Sequence, residues 1–223
     1  MALQLHHVFV CASLGAPEAE GLLNEGLIEG SSNTHPGQGT ANRRFFFKRG
    51  FLELIWVHDE RESQSPLTAP TKLWDRWSER GRTASPFGLC FSSSEGAGSI
   101  LPFPSWPYRP DYLSGDRAIL FADNLPLSEP EVFVPNWPQG QSTPETEPTD
   151  HPLGLREMRS VSVGLPDPMS ISSSLRAIQD AGLVEIHRSV THELVIEFSS
   201  LAEVHHRVPA LGLCLVGRLE LTS

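Results

Sequence analysis

FLELIWV, Phe51–Val57, is apolar on both faces of an extended strand except at one position, Glu53. A carboxylate there is costly unless it is paired or bound to something. Immediately upstream lies ANRRFFFK, joined to it by Arg49-Gly50, a step that predicts a tight hairpin between two β-rich runs. Before that comes the polar, Gly-rich NTHPGQGT, and near the start of the chain LHHVFV, Leu5–Val10, which carries His7. Alternation puts Leu5, His7, Phe9 and Cys11 on one face of the first strand, and Phe51, Glu53, Ile55 and Val57 on one face of the later strand. Where those faces meet, one imidazole and one carboxylate converge in apolar surroundings, the donor types that a divalent ion takes. A carboxylate paired with an arginine such as Arg44 is the competing explanation for Glu53. For His7 it is a core histidine bonded to backbone.

Working outward, the first sixty residues predict strand, helix, strand, strand, strand. LQLHHVFVCA is the first strand, Pro17 opens a helix that Gly26 stops, and LIEGSS is a short second strand. An exposed segment and a short helix at LWDRWSERG follow. Then FGLCFSSS, RAILFADN and EVFVPNW predict strands around LPFPSWPYRPDYL, a Pro-stiffened loop expected to pack on the sheet, with a lid over a pocket as the alternative. PQGQSTPETEPTDHP has no periodicity and predicts an exposed loop or linker. LREMRSVSVGLP, SISSSLRAIQDAG, VEIHRSV, THELVIEFSS and LGLCLVGRLEL predict strand, helix and three strands. LAEVHHRVP predicts a short helix, on which His205 and His206 point apart and chelate poorly. GLLNEGLIEG matches AIQDAGLVEI, and FLELIWV matches HELVIEF, the trace of an internal β-α-β-β-β repeat.

The Gly-rich segment is a second cluster of candidate residues. Gly37 and Gly39 allow a sharp turn and close approach to a ligand. His35, Gln38, Thr40 and Asn42 offer donors and acceptors for a small oxygenated molecule, against the plainer alternative of a polar connection. Arg43 and Arg44 alternate, so one of the two can face a site, and Arg44 would suit a carboxylate. Trp106 and Arg109 are candidates from the Pro-rich loop. His6 is expected at the surface or at an interface.

The 223-residue chain has a formal net charge of −10 with the acidic excess spread out, which argues against a nucleic-acid partner. Its three cysteines, Cys11, Cys90 and Cys214, lie far apart without a CxxC pair and are expected as small buried hydrophobes. No run is long enough to span a membrane, and the N-terminus lacks a signal-peptide pattern, so a soluble cytoplasmic protein is expected. There is no GxSxG elbow, Walker loop, GxGxxG after a strand, HExxH or EF-hand loop.

In their order, LHHVFV, NTHPGQGTANRRFFF and FLELIWV resemble the glyoxalase-like proteins of the vicinal oxygen chelate superfamily, which includes bleomycin-resistance proteins and dioxygenases. The resemblance is strong over about residues 3–60. It implies an α+β fold of repeated βαβββ modules that form a curved, cupped mixed sheet with helices on its outer face. Residues 1–60 would be the first module, 61–83 a connection with a short helix, and 84–137 a degenerate β-rich module. Residues 138–151 would be a loop and 152–223 a third βαβββ-like unit. The resemblance further implies a divalent metal (Mn, Fe, Zn or Ni) on His7 and Glu53, with His35 as a third ligand or general base beside Glu53. The later modules depart from the pattern. The expected histidine positions hold an apolar residue or glycine in FGLCFSSS and Ser160 in MRSVSVG, while Glu131 and Glu193 lack histidine partners.

Three functions are then open. One is a metal-dependent lyase, isomerase or dioxygenase-type enzyme acting on a small oxygenated molecule, with Gln38, Thr40, Asn42, Arg44, Trp106 and Arg109 as contacts. Another is a metal-free protein that binds or sequesters a small molecule. The third is a catalytically silent scaffold. The superfamily also makes a homodimer plausible.

Overall fold

The computed structural model describes residues 3–93, 100–138 and 143–220. It is an α+β fold of thirteen strands and four helices in two sheets, the larger one curled into a half-barrel. Strands β1 (Gln4–Cys11), β2 (Asn33–His35), β3 (Thr40–Phe46) and β4 (Phe51–Val57) enclose helix α1 (Ala19–Asn24) in sequence. After α2 (Glu60–Ser63) and α3 (Leu73–Ser78) come β5 (Phe87–Ser92), β6 (Ser105–Tyr108), β7 (Ile119–Ala122) and β8 (Glu131–Pro135). These eight strands form one sheet in the order β2-β3-β4-β1-β5-β8-β7-β6.

Each half repeats one pairing scheme. β1 runs parallel to β4 and β5 parallel to β8, the remaining pairs within each half are antiparallel, and β1 meets β5 antiparallel at the centre. Residues 4–57 and 87–135 thus share the cup.

The local sequence accounts for the joints. Phe47 N–H donates to Gly50 O at 2.9 Å, and Gly50 takes φ +80°, closing the β3–β4 hairpin at the Arg49-Gly50 step. LIEGSS forms no strand, although Gly30 N–H donates to Arg44 O of β3 at 2.9 Å. The second strand lies just beyond it at Asn33–His35, where Asn42 Oδ1 accepts from Asn33 N–H at 2.7 Å. The Pro-rich loop holds the short strand β6, with Trp106 opposite Phe121.

A five-stranded sheet, β10-β9-β11-β13-β12, is built from β9 (Leu155–Leu165), β10 (Glu185–Arg188), β11 (Glu193–Ser200), β12 (Val204–Val208) and β13 (Leu213–Leu219). Its pairing differs from that of the cup halves. β9 is parallel to β10 across helix α4 (Ser173–Asp180), and β11 is parallel to β13. LAEVHHRVP is a strand rather than the expected helix. β12 pairs with β13, and alternation sends His206 toward Glu25 and His205 toward Cys214. Of the Pro/Thr/Glu-rich stretch, residues 139–142 lie outside the described residues.

One continuous apolar core joins the two sheets. Val8, Val10, Leu52, Leu54, Leu89 and Val132 from the back of the cup share it with Val161, Val163, Leu194, Ile196, Leu213 and Leu215. α1 adds Ala19 and Leu22, and α4 adds Leu175 and Ile178. α4 is tied to the second half of the cup. Ser172 N–H and Oγ–H donate to Glu129 at 2.6 Å each, and Ser174 Oγ–H donates to Asp123 O. A smaller core lines the front, with Phe9, Cys11, Ile55, Cys90, Tyr108, Phe121 and Phe133, against which Leu73 and Trp77 of α3 pack. Cys11, Cys90 and Cys214 are buried free thiols. No helix among the described residues is long and apolar enough to cross a membrane.

Candidate functional site

The front of the sheet opens into a cavity of about 420 Å³. One half of its wall is polar: His6, His7, His35, Gln38, Asn42, Arg44 and Glu53. The rest is largely apolar, with Phe9, Phe51 and Ile55 from the first half of the sheet, Phe121 and Phe133 from the second, and Tyr112, Leu113 and Trp137 from the loops around it.

Alternation along β1 and β4 brings His7 and Glu53 together, with His7 Nε2 lying 3.9 Å from Glu53 Oε2. Glu53 is buried and His7 is partly so. The other carboxylate oxygen accepts from Asn42 Nδ2 at 2.6 Å, and the Asn42 carbonyl is held in turn by Asn33 N–H, so the carboxylate is fixed through a chain of amides. Burial pushes the Glu53 carboxyl above the ordinary range, against the Asn42 hydrogen bond and the positive charge of Arg44. Arg44 stands opposite Glu53 in the β3–β4 ladder, but its guanidinium does not pair with it. That group donates to Ser31 O and Oγ at 2.8 Å each and lies over the rings of Phe46 and Phe51. Arg43 points the other way, to Glu29 and Glu20.

The Gly-rich turn supplies a connected polar arm. His35 Nδ1 meets Thr40 Oγ1 at 2.9 Å, and Gln38 Nε2 donates to the same hydroxyl at 2.8 Å. Gln38 Oε1 accepts from Tyr112 O–H at 2.8 Å, which ties the loop after β6 to the turn. Gly37 and Gly39 take φ +79° and +74°, and a Cβ at Gly39 would collide with Asp59 O. Thr40 supports this arm from beneath. Burial, with the charges of Arg44 and His58, pushes His35 down to about 4, so its ring is neutral at pH 7.

His6, expected at the surface, lines the cavity. The register between β1 and β5 slips after Leu5, which pairs with Phe91, while His7 pairs with Cys90. His6 is the extra residue of a β-bulge, and a bulge re-aims a side chain across the pleat. His6 Nδ1 lies 2.7 Å from His7 Nδ1, and His7 stacks on Phe51 with centroids 4.2 Å apart. Burial pushes His6 down to about 4. It also lowers His7 well below the ordinary value, helped by the charges of His6, Arg44 and His35. A doubled histidine at a strand start is the only sequence signal for such a bulge.

Trp106 and Arg109 do not line this cavity. Trp106 stacks on Phe121 at 5.2 Å and faces a neighbouring hollow with Lys72 and Glu131, while Arg109 is exposed. Tyr112, Leu113 and Trp137 face the cavity instead.

The second half of the cup lacks a polar counterpart. Gly88 stands opposite Phe9 in the ladder, and the Phe9 ring fills the space that a side chain at Gly88 would need. Glu131 heads β8 as a buried carboxylate, 3.3 Å from Arg76 Nη2. Arg76 is itself fully buried and donates to the carbonyls of Ser85 and Glu129 at 2.6 and 2.7 Å. Glu131 is therefore consumed by an internal ion pair. Glu193 pairs with His187 and Arg207 on the five-stranded sheet.

No protein-family model matches the chain, and no curated protein matches it. Solved structures do. A hypothetical protein from Staphylococcus aureus aligns over 98% of this chain and 100% of its own, with a TM-score of 0.59 at 10% identity. Methylmalonyl-CoA epimerase in complex with methylmalonyl-CoA and NH4+ covers 65% of this chain and 100% of its own, with a TM-score of 0.39 at 11% identity. A xylose isomerase-like TIM barrel/4-hydroxyphenylpyruvate dioxygenase fusion protein aligns over 98% of this chain and 32% of its own, with a TM-score of 0.41 at 11% identity. The first is a likeness of fold alone, and the other two overlap too loosely to bear on function.

Proposed function

We propose that the cup binds a small molecule with an oxygenated head and an apolar body, and that Glu53 moves a proton on that head. The observation that carries this reading is a buried carboxylate, held by an amide rather than a cation, on the wall of an open cavity. Burial tunes such a group toward neutral pH, where a general base works best. Neutral His7 and His35 and the guanidinium of Arg44 stand beside it to receive the oxygens of the head. Phe9, Phe121 and Phe133 supply the surface for the body. Module order and the placement of His7 and Glu53 support membership of the vicinal oxygen chelate superfamily.

The superfamily's divalent ion, held by histidines and carboxylates from both halves of a cup, does not fit these residues. The Phe9 ring fills the space beside Gly88, and Glu131 neutralises Arg76.

The test uses aryl- and alkyl-substituted oxo acids and hydroxy acids as probes. A ligand of the cup raises the melting temperature of the wild-type protein. In D2O a substrate exchanges the hydrogen on the carbon next to its carbonyl, followed by proton NMR, and Glu53→Gln slows that exchange by about 10²–10⁴-fold. Exchange at an equal rate in Glu53→Gln would sink the assignment of the base. A second reading, a sequestering protein, is favoured by the aromatic half of the cup. Tight binding without exchange or turnover would establish it.

A further inference from the structure

His6, His7 and Cys90 each offer one ligand atom, and these atoms lie within 4.8 Å of one another. The cluster is composite. Cys90 is the ladder partner of His7 on the adjoining strand, and the bulge swings His6 onto the same side. The two Nδ1 atoms face each other at 2.7 Å. Without a bound ion one of them must carry a proton that the other accepts. Cys90 is completely buried, and its thiol has only a long contact of 3.7 Å to Phe91 O.

We infer that His6, His7 and Cys90 form a site for a thiophilic transition ion of the zinc class, confined to the centre of the cup. The inference rests on reading the cup as the functional site. The donor set is two imidazoles and a thiol, which favours zinc over the harder magnesium, calcium or manganese. It differs from a histidine–carboxylate set drawn from both halves. Glu53 takes the outer position: with Nδ1 of His7 on the ion, Nε2–H faces the Glu53 carboxylate 3.9 Å away, and Asn42 holds that carboxylate. Carboxylates behind ligating histidines orient the ring and raise its basicity.

The protons balance. Each neutral imidazole keeps its single proton: the ring that accepts at Nδ1 already carries it on Nε2, and the other shifts it there. Cys90 gives up its thiol proton to solvent, because a coordinating thiol is deprotonated by the ion. The thiolate and the Glu53 carboxylate then offset the charge of a dication.

Cobalt(II) titrated into full-length protein tests this, because a thiolate ligand adds a near-ultraviolet charge-transfer band that oxygen and nitrogen donors do not. Zinc affinity is measured in parallel by competition with a chromophoric chelator. The wild-type protein is expected to show the band at one equivalent. Cys90→Ser and Cys90→Ala, checked for native thermal unfolding, should lose it. His6→Ala should weaken zinc by at least tenfold. Glu53→Gln should keep the band while weakening zinc by about 10–100-fold. Absence of binding to the wild-type protein overturns the inference. So does binding without the thiolate band that survives Cys90→Ser and vanishes in Glu53→Gln, since that ion sits on His7 and Glu53. Neither failure touches the small-molecule reading, which the melting-temperature and exchange measurements decide separately.

Discussion

Glu53 and Glu131 occupy matching elements in the two halves of one sheet, β4 and β8, and both are buried, yet they serve different ends. Glu131 has a guanidinium at 3.3 Å, and Arg76 Nη1 donates to backbone carbonyls. Glu53 has an amide at 2.6 Å and a histidine at 3.9 Å, with a cavity in front of it. A buried carboxylate is structural when its charge is cancelled inside the protein. It is available for chemistry when its partner is neutral and its front is open. The contrast extends to the walls: the lining histidines and amides all lie on the Glu53 side, while the Glu131 side contributes Ile119, Phe121, Phe133 and Pro135.

The largest effect that would break this comparison is on the structural side. Arg76→Met leaves Glu131 buried without its counter-charge and should cost about 3–5 kcal/mol in urea unfolding. A loss below 1 kcal/mol would mean that the ion pair is not what holds β8 to α3. Next is Gly88→Ala, which forces a methyl group into the Phe9 ring and should cost about 1–3 kcal/mol. Phe9→Leu in the same chain should recover part of that loss, and additive costs would show that the two positions do not compete for space.

The smallest effect has the opposite sign. Glu53 binds its proton more tightly folded than unfolded, so its ionisation erodes stability as pH rises from the ordinary carboxylate value through the raised one. Glu53→Gln removes that erosion. The variant should match or exceed wild-type stability at pH 7, and its unfolding free energy should fall less between pH 4 and pH 7. A variant less stable than wild type at pH 7 would show that the carboxylate is structural after all.

Strand alternation in LHHVFV and FLELIWV was sufficient to place His7 and Glu53 on one face, because both runs are regular from His7 and Phe51 onward. Asn42 and Arg44, singled out for their hydrogen-bonding groups, stand two apart on β3 and so share one face of that strand. His6 was not legible, since a bulge is a relation between two strands and β5 lies some eighty residues away. Trp106 and Arg109 depended on the path of a Pro-rich segment, and proline fixes φ without fixing which side chains turn inward. The neutralisation of Glu131 was equally hidden, because Arg76 sits on a short helix whose docking is set by carbonyls at Ser85 and Glu129. His205 and His206 read as helical because a short apolar-polar run fits both periods.

The shared core behind the cup has a consequence for synthesis. The eight cup strands are complete by Pro135, but their rear surface, with Val8, Val10, Leu52, Leu54, Leu89 and Val132, is covered by residues 155–219. A nascent chain that has just released β8 holds all eight strands of the cup and an unfinished back. Until β13 arrives, that bare apolar surface is a target for chaperones or for another unfinished chain.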